Sequence, residues 1–456
     1  MKLTNGPSTP RLLRMIKLVA RPLDYLEDYA KRHGDPFRVG GKTSPGLVYF
    51  SNPKAIQEIF TADPELFDSG RGNGVLRFLL GDYSLILLDG DRHQRQRRLL
   101  TPPFHGDRMR AYSQLICDIT NQVTAPWRIG EPFLIRSFMQ EITLRVILQA
   151  VFGLHEGQRY QQLMQLLSSL LDSIGSPLSS SLLFFRSLQQ DWGPLSPWGR
   201  FLRQKQKIDQ LIHKEIRERR EKGNLSGSDI LTLLMSARDE AGQPMTDEEL
   251  RDELMTLLVA GHETTASALT WALYWIHHLP EVQDKLLHEL NTLGDAHPSE
   301  IAKLPYLTAV CQETLRIYPI AINGFFRILK APFKVMGYEF KPGTGFIPSI
   351  YLTHHREDIY PEPKRFKPER FLERQFSQYE YLPFGGGNRR CIGMAFAQLE
   401  MKLVLATVLS RFELALVDRR PVKPVRRGLT VAPPGGMRMV VTTQRQNTSV
   451  RNLISL

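Results

Sequence analysis

Residues 384–393 read Phe384-Gly385-Gly386-Gly387-Asn388-Arg389-Arg390-Cys391-Ile392-Gly393. Three consecutive glycines let a backbone turn tightly and approach a flat partner, because no Cβ stands in the way. Amide N–H groups presented by such a turn can point at the Cys391 sulfur. These hydrogen bonds, with a helix starting at Met394, are expected to favour the thiolate and lower its pKa. Arg389, two residues before the sulfur, stands where it can neutralise an anionic group. The plainer reading is a buried cysteine in a glycine-rich turn. A zinc site is excluded, since no second cysteine or histidine stands at ligand spacing.

Outward from this loop, apolar residues recur at helical spacing. The spacing predicts helices over residues 22–33, 107–124, 138–152, 160–174, 198–222 and 394–412. Thr246-Asp247-Glu248-Glu249 has the form of a capping box. A helix starting there can run to His278, where Leu279-Pro280 stops it. At 1.5 Å per residue it would span roughly 48 Å, enough to cross the protein. Midway along it lie Ala260-Gly261-His262-Glu263-Thr264-Thr265. Thr264 can bond back to the carbonyl of Ala260 and open the helix locally, leaving a groove with a hydroxyl and a carboxylate. The other reading of this stretch is the polar face of an amphipathic helix. Short β-like runs over 37–39, 46–50, 322–329, 333–340 and 345–350 precede an alternating tail over 413–443. They predict a minor sheet built from segments distant in sequence. The fold class is mainly α with a small β region, as a single domain over residues 1–456.

The 456 residues are 42% hydrophobic and 23% charged, with no low-complexity run or internal repeat, so the chain can bury a large core and enclose a cofactor. Cys117, Cys311 and Cys391 are too few, and odd in number, for a disulfide framework; a reducing compartment follows. The apolar stretch 12–20 is broken by Arg14 and Lys17, which excludes a signal peptide. Segment 254–279 is long and apolar but carries His262 and Glu263, which lipid would not tolerate cheaply. No transmembrane anchor is expected. The net charge of +12 favours acidic partners, yet no nucleic-acid-binding signature is present. The charge run over 200–222 reads as a solvated helix face.

The cysteine loop resembles the signature of the cytochrome P-450 superfamily, whose fixed positions match at Phe384, Gly387, Arg389, Cys391 and Gly393. Other motifs follow in family order over about residues 20–440. Glu313-Thr314-Leu315-Arg316 resembles the family's Glu-x-x-Arg pair, and Pro368-Glu369-Arg370-Phe371 its partner stretch. Residues 260–265 resemble the oxygen-binding helix motif. His93 and Arg97 match a His-x-x-x-Arg pattern, and Arg327 in Phe325-Phe326-Arg327 stands where another such arginine is usual. His355-Arg356 resembles a structural pair.

The resemblance implies a cytochrome P-450 fold: a large helical part around a long central helix, with a minor β-sheet part. It implies haem b, with Cys391 as axial iron ligand and Phe384 and Gly385 beside it. His93, Arg97, Arg327 and Arg389 would hold the haem propionates. Glu263 and Thr264 would organise water that brings protons to dioxygen. Glu313, Arg316 and Arg370 would form a buried structural triad behind the cysteine loop. The implied activity is that of a haem-thiolate monooxygenase, inserting one oxygen atom into a lipophilic substrate such as a fatty acid, alkane or terpenoid. Leu79, Leu80, Leu87, Ala260, Ile320 and Ile322 would line its pocket.

No flavin or nicotinamide segment is present, so electrons would come from a ferredoxin- or flavodoxin-type donor with its reductase. Arg92, Arg95, Arg98 and Arg390 are expected to dock an acidic donor. Likeness to soluble bacterial members implies a cytoplasmic monomer. Phe184-Phe185, Trp192 and Trp198 would pack over the substrate channel or, alternatively, touch a membrane surface peripherally. Three other functions fit the motifs less well. A haem-binding sensor without turnover usually carries an output module, and none is visible. A peroxygenase or an isomerase of the same fold commonly departs from the Glu263-Thr264 pair.

Overall fold

A computed structural model describes residues 16–18, 20–40, 46–106, 108–175, 189–193, 196–223, 227–294 and 297–445. Its main helices are α1 (Pro22–His33), α2 (Pro53–Thr61), α3 (Gly90–Leu100), α4 (Arg108–Thr124), α5 (Ile135–Phe152), α6 (Gln158–Gly175), α7 (Pro197–Lys222), α8 (Asp247–His278), α9 (Pro280–Leu293), α10 (Pro305–Ile317) and α11 (Met394–Arg411). Several begin on proline, whose missing N–H is no loss in a first turn.

The axis of the fold is α8. Its capping box forms in full: Thr246 Oγ1 accepts the Glu249 N–H at 3.1 Å, and Glu249 Oε2 accepts the Thr246 N–H at 2.8 Å. The helix then runs 32 residues to His278. It is buried on nearly every side, which is why its sequence is apolar all round rather than along one stripe. Helices α5, α10 and α11 pack against it. Ile142, Leu254, Leu269, Leu307 and Leu403 belong to the resulting core, and burying each such side chain stabilises by about 1.5–3 kcal/mol. The helix continues without a break through Gly261 to Thr265, so the local opening expected there does not form.

Twelve short strands form four sheets among the described residues. The largest has the order β1 (Phe37–Val39), β2 (Leu47–Phe50), β8 (Gly345–Pro348), β5 (Arg327–Leu329), β3 (Phe67–Asp68). Its β2–β8 pair is parallel, with Val48 opposite Phe346, and closes nearly 300 residues of chain. A second sheet has the order β4 (Pro132–Leu134), β12 (Arg438–Gln444), β9 (Phe412–Leu416). Two hairpins, β6 (Phe333–Val335) with β7 (Tyr338–Phe340) and β10 (Val425–Arg427) with β11 (Thr430–Ala432), complete the set.

Three expected strands are corrected. The run 333–340 is a hairpin, because Met336 and Gly337 both take left-handed backbone, at φ 51° and 78°. The run 322–329 is extended-ladder only from Arg327. The run 345–350 ends at Pro348; Ser349 then caps a short helix, Ile350–His354.

Candidate active site

The cysteine loop turns because Gly385 and Gly387 adopt left-handed backbone, at φ 67° and 63°. Gly386 lies so close to Phe60 on α2 that any Cβ would overlap its ring. The flat partner that Gly386 admits is therefore this ring, a residue that no motif marks. The Cys391 N–H donates to the Phe384 carbonyl at 2.9 Å, and the Gly385 N–H to the Leu382 carbonyl at 2.9 Å. The Gly393 N–H points at the sulfur.

The expected lowering of the Cys391 pKa is corrected. Burial pushes the thiol up, and this outweighs the Gly393 N–H, Arg97 and Arg390, which pull it down. Yet Cys391 is solvent-accessible. A side chain both accessible and enclosed by protein lies on a recess rather than on the outer surface. Ala260, exposed in the middle of a buried helix, has the same character.

Arg97 lies near the sulfur, and with it stands a cluster of three more cationic or donor groups. His93 and Arg97 project from α3, Arg327 from β5, and Arg389 from the loop itself. Burial, then Arg389 and Arg97, lower the His93 pKa to about 3, so its ring is neutral. Burial, then Arg389, lower Arg327 to about 9. Arg389 and Arg97 are lowered too, mainly by burial. Arg327 lies over the Phe60 ring at 4.8 Å and, among the described residues, donates only to backbone carbonyls, Gly386 at 3.2 Å and Phe325 at 3.4 Å. Among the described residues the one carboxylate paired into this group is Asp89, on Arg389. Three guanidinium groups and an imidazole against one carboxylate leave the cluster short of anions. Two further carboxylates would meet charge-assisted donors here. The residues fit a haem, which brings two propionates and an iron for the accessible sulfur.

On α8, Thr264 Oγ1 donates to the Ala260 carbonyl at 2.6 Å. Glu263 points elsewhere. Its Oε1 is paired with Arg136 of α5 and lies 3.3 Å from Arg427 Nε, while its Oε2 accepts from Gln140 at 3.1 Å. Arg136 also holds Ser267 at 3.0 Å, and Arg427 reaches Asp172 of α6 at 3.5 Å. The hydroxyl and the carboxylate are thus neighbours in sequence whose polar atoms bond to different partners. His262 turns into α5, where its Nδ1 meets Thr143 Oγ1 at 2.8 Å.

Behind the loop, Glu313 is fully buried and accepts from Arg316 at 2.6 and 2.8 Å and from Arg370 at 3.1 Å. The Lys367 N–H adds a bond at 2.8 Å. Arg316 also donates to the carbonyls of His354 at 2.9 Å and Pro363 at 2.8 Å, fastening α10 to the segment that leads into the loop.

Two of the arginines expected to dock a donor already have carboxylate partners: Arg95 meets Asp239 at 2.6 Å, Glu249 at 2.8 Å and the Pro244 carbonyl at 3.1 Å, and Arg98 pairs with Glu240. Arg92 and Arg390 have no carboxylate partner among the described residues. His355 bonds to the Tyr351 carbonyl at 2.9 Å and lies on that ring, and Arg356 pairs with Asp35 at 3.0 Å. Leu79, Leu80, Leu87, Ile320 and Ile322 are buried, unlike Ala260. Trp198 is buried against Phe78 and Phe201, whereas Trp192 is exposed. Phe184-Phe185 lie outside the described residues. Among the described residues no helix is long and apolar enough to cross a membrane.

A central helix crossing a helical body, a minor sheet, and an accessible cysteine beside an anion-seeking cluster define a haem-thiolate protein. A family model described as cytochrome P450 matches residues 5–440. The chain belongs to the cytochrome P450 family and is a cytochrome P450 monooxygenase that binds haem b and uses dioxygen and a redox partner. It is 36% identical over 448 residues to the Mycobacterium tuberculosis protein named cytochrome P450 135B1, covering 98% of this chain and 92% of that one. It is 33% identical over 434 residues to cytochrome P450 138 of the same organism, covering 95% and 94%. Among solved structures it is similar to a cyanobacterial CYP120A1 with retinoic acid bound, at a TM-score of 0.80 and 25% identity, covering 94% and 96%. The haem domain of cytochrome P450DA shares the fold, at a TM-score of 0.83 and 23% identity, covering 98% of each chain.

Proposed function

We propose that this chain is a single-domain enzyme that hydroxylates or otherwise monooxygenates a lipophilic substrate of the fatty-acid, alkane or terpenoid kind, with Cys391 as the iron ligand. The observation that carries it is the accessible Cys391 sulfur beside the anion-poor cluster of His93, Arg97, Arg327 and Arg389. When bound, the haem supplies the oxygen-activating redox chemistry; the protein supplies binding, orientation and proton traffic. The cluster anchors the two propionates. The apolar side chains Leu79, Leu80, Ile320 and Ile322 support an apolar pocket. The cyanobacterial relative described with retinoic acid, a long apolar molecule, favours the same substrate class.

Thr264 Oγ1 holds a proton within reach of the recess and passes it inward, and Glu263 replenishes it through water. Because both Glu263 oxygens are held by Arg136, Arg427 and Gln140, its part requires one of those contacts to open. Replacing Thr264 by alanine is expected to leave haem content unchanged and to divert electrons to peroxide, lowering product per NADPH at least about ten-fold. Unchanged coupling would remove Thr264 from the relay.

Electrons come from a ferredoxin- or flavodoxin-type donor that meets Arg92 and Arg390. Exchanging both for glutamate is expected to slow reduction by such a donor about ten-fold at low salt and to flatten its salt dependence. Arg95→Gln should change the salt dependence of reduction far less, since Arg95 is already engaged by Asp239 and Glu249. The chain acts as a monomer in the cytoplasm or at a membrane surface.

The deciding experiment is the carbon monoxide difference spectrum of the dithionite-reduced protein. A strongly red-shifted Soret band in the wild type, lost in Cys391→Ser, is the expected result. A wild-type band at the position of histidine-ligated haem would overturn the assignment of Cys391. Product that requires the donor protein separates monooxygenation from a sensor or an isomerase.

A further inference from the structure

Asp89 stands directly before α3, where an aspartate ordinarily accepts a bond from the helix's own first N–H groups. It makes no such cap. Its Oδ1 accepts the Ser69 N–H at 3.1 Å and the Arg389 guanidinium, and its Oδ2 accepts the Gly70 N–H at 2.7 Å. This grip depends on Gly70, where a Cβ would overlap the Leu87 carbonyl and sit 2.8 Å from Asp89 Oδ2. The same short segment holds Arg389 twice more, through the carbonyls of Leu85 at 3.1 Å and Leu88. Arg389 Nε is buried and has no hydrogen-bond partner among the described residues.

We propose that Asp89 is a positioning residue of the haem site, fixing Arg389 in the orientation that meets a haem carboxylate. This rests on the reading in which Arg389 binds a propionate. Asp89 braces three segments against one another: the Ser69-Gly70 turn, the start of the helix that carries His93 and Arg97, and the cysteine loop. It holds two N–H groups and one guanidinium with two oxygens, so neither the charge alone nor one acceptor alone can replace it.

A carboxylate beside Arg389 has one competing role, and the two differ in sign. Were Asp89 merely a counter-charge occupying Arg389, its removal would free the guanidinium and tighten haem binding. As a brace, its removal loosens it. The test measures transfer of haem from the holoprotein to excess apomyoglobin, for the wild type and Asp89→Asn. Each is loaded with ordinary haem or with haem whose two propionates are methyl esters. The expected result is that Asp89→Asn loses ordinary haem on the order of ten times faster, the size of a lost charge-assisted bond. It should lose the diester at the wild-type rate, because there is no carboxylate left for Arg389 to meet.

Acceleration of both forms alike would show a general structural weakening and overturn the proposal, as would an unchanged or slower loss of ordinary haem. If the wild type itself does not retain ordinary haem better than the diester, the propionate reading of the cluster fails instead. Should Asp89→Asn not fold, Asp89→Glu carries the same comparison. It keeps the charge but shifts both oxygens by one methylene, so selective acceleration supports the brace and wild-type retention overturns it.

Discussion

Replacing Glu313 by glutamine is expected to cost about 3–5 kcal/mol, the usual result of breaking a buried ion pair from one side. Glu313 and Arg316 have no solvent exposure, and Arg370 almost none. The glutamine would keep the shape and part of the bonding, but two guanidinium groups would remain in the core without a counter-charge. Total stability of a folded protein is only about 5–15 kcal/mol, so a loss of this size removes a large fraction of it. The effect reaches the site because Arg316 also grips the carbonyls of His354 and Pro363, and His354 Nε2 in turn accepts the Leu382 N–H at 3.0 Å, two residues before Phe384. Urea unfolding of Glu313→Gln should therefore show a lowered midpoint together with reduced haem content at equal expression. Arg370→Lys, which keeps a charge near Glu313, should lose about 1 kcal/mol. A Glu313→Gln protein within 1 kcal/mol of the wild type would show that the triad is not a stabilising brace.

What could be read from the sequence was what depends on neighbours in sequence. Helix α8 was legible because its start is a four-residue capping box and its end is Leu279-Pro280. The cysteine loop was legible because three adjacent glycines have few other uses. The hairpin at Met336-Gly337 was not: methionine carries no turn signal, and its left-handed backbone is imposed by the pairing of β6 with β7. Arg95 looked like surface charge because its partners Asp239 and Glu249 lie 144 and 154 residues away. The Cys391 pKa was read with the wrong sign because hydrogen bonds from the loop are local, whereas the burial that outweighs them comes from the whole fold. Asp89 was hidden by its position, since an aspartate before a helix reads as a cap and its actual partners lie 20 residues upstream and 300 downstream.

Acid is expected to unfold the protein well above the pH at which most of its carboxylates protonate. His93, His262 and His355 are held neutral with pKa values of about 3, His277 of about 4, and His354 also far below the ordinary value of 6.5. Burial is the first cause in each case, with Arg136 added at His262 and Arg316 at His354 and His355. The unfolded chain takes up these five protons near pH 6.5 and the folded chain does not. Stability is therefore complete above pH 6.5 and falls as pH drops towards the folded values.

Buried carboxyls act the other way. Burial raises Glu253 and Glu400 well above 4.5, so they are already protonated in the fold and become less unfavourable as pH falls. The histidines outnumber these carboxyls, so unfolding takes up protons on balance and stability falls as pH drops from 6.5. The measurement is the urea midpoint by far-ultraviolet circular dichroism at half-unit steps of pH. His262→Asn, which can keep the bond to Thr143 but takes no proton, should lower the slope, because it removes one of the protons taken up on unfolding. A midpoint that stays level from pH 6.5 to 5 would mean that these histidines accept protons without unfolding, and that the core around α8 is far wetter than its burial implies.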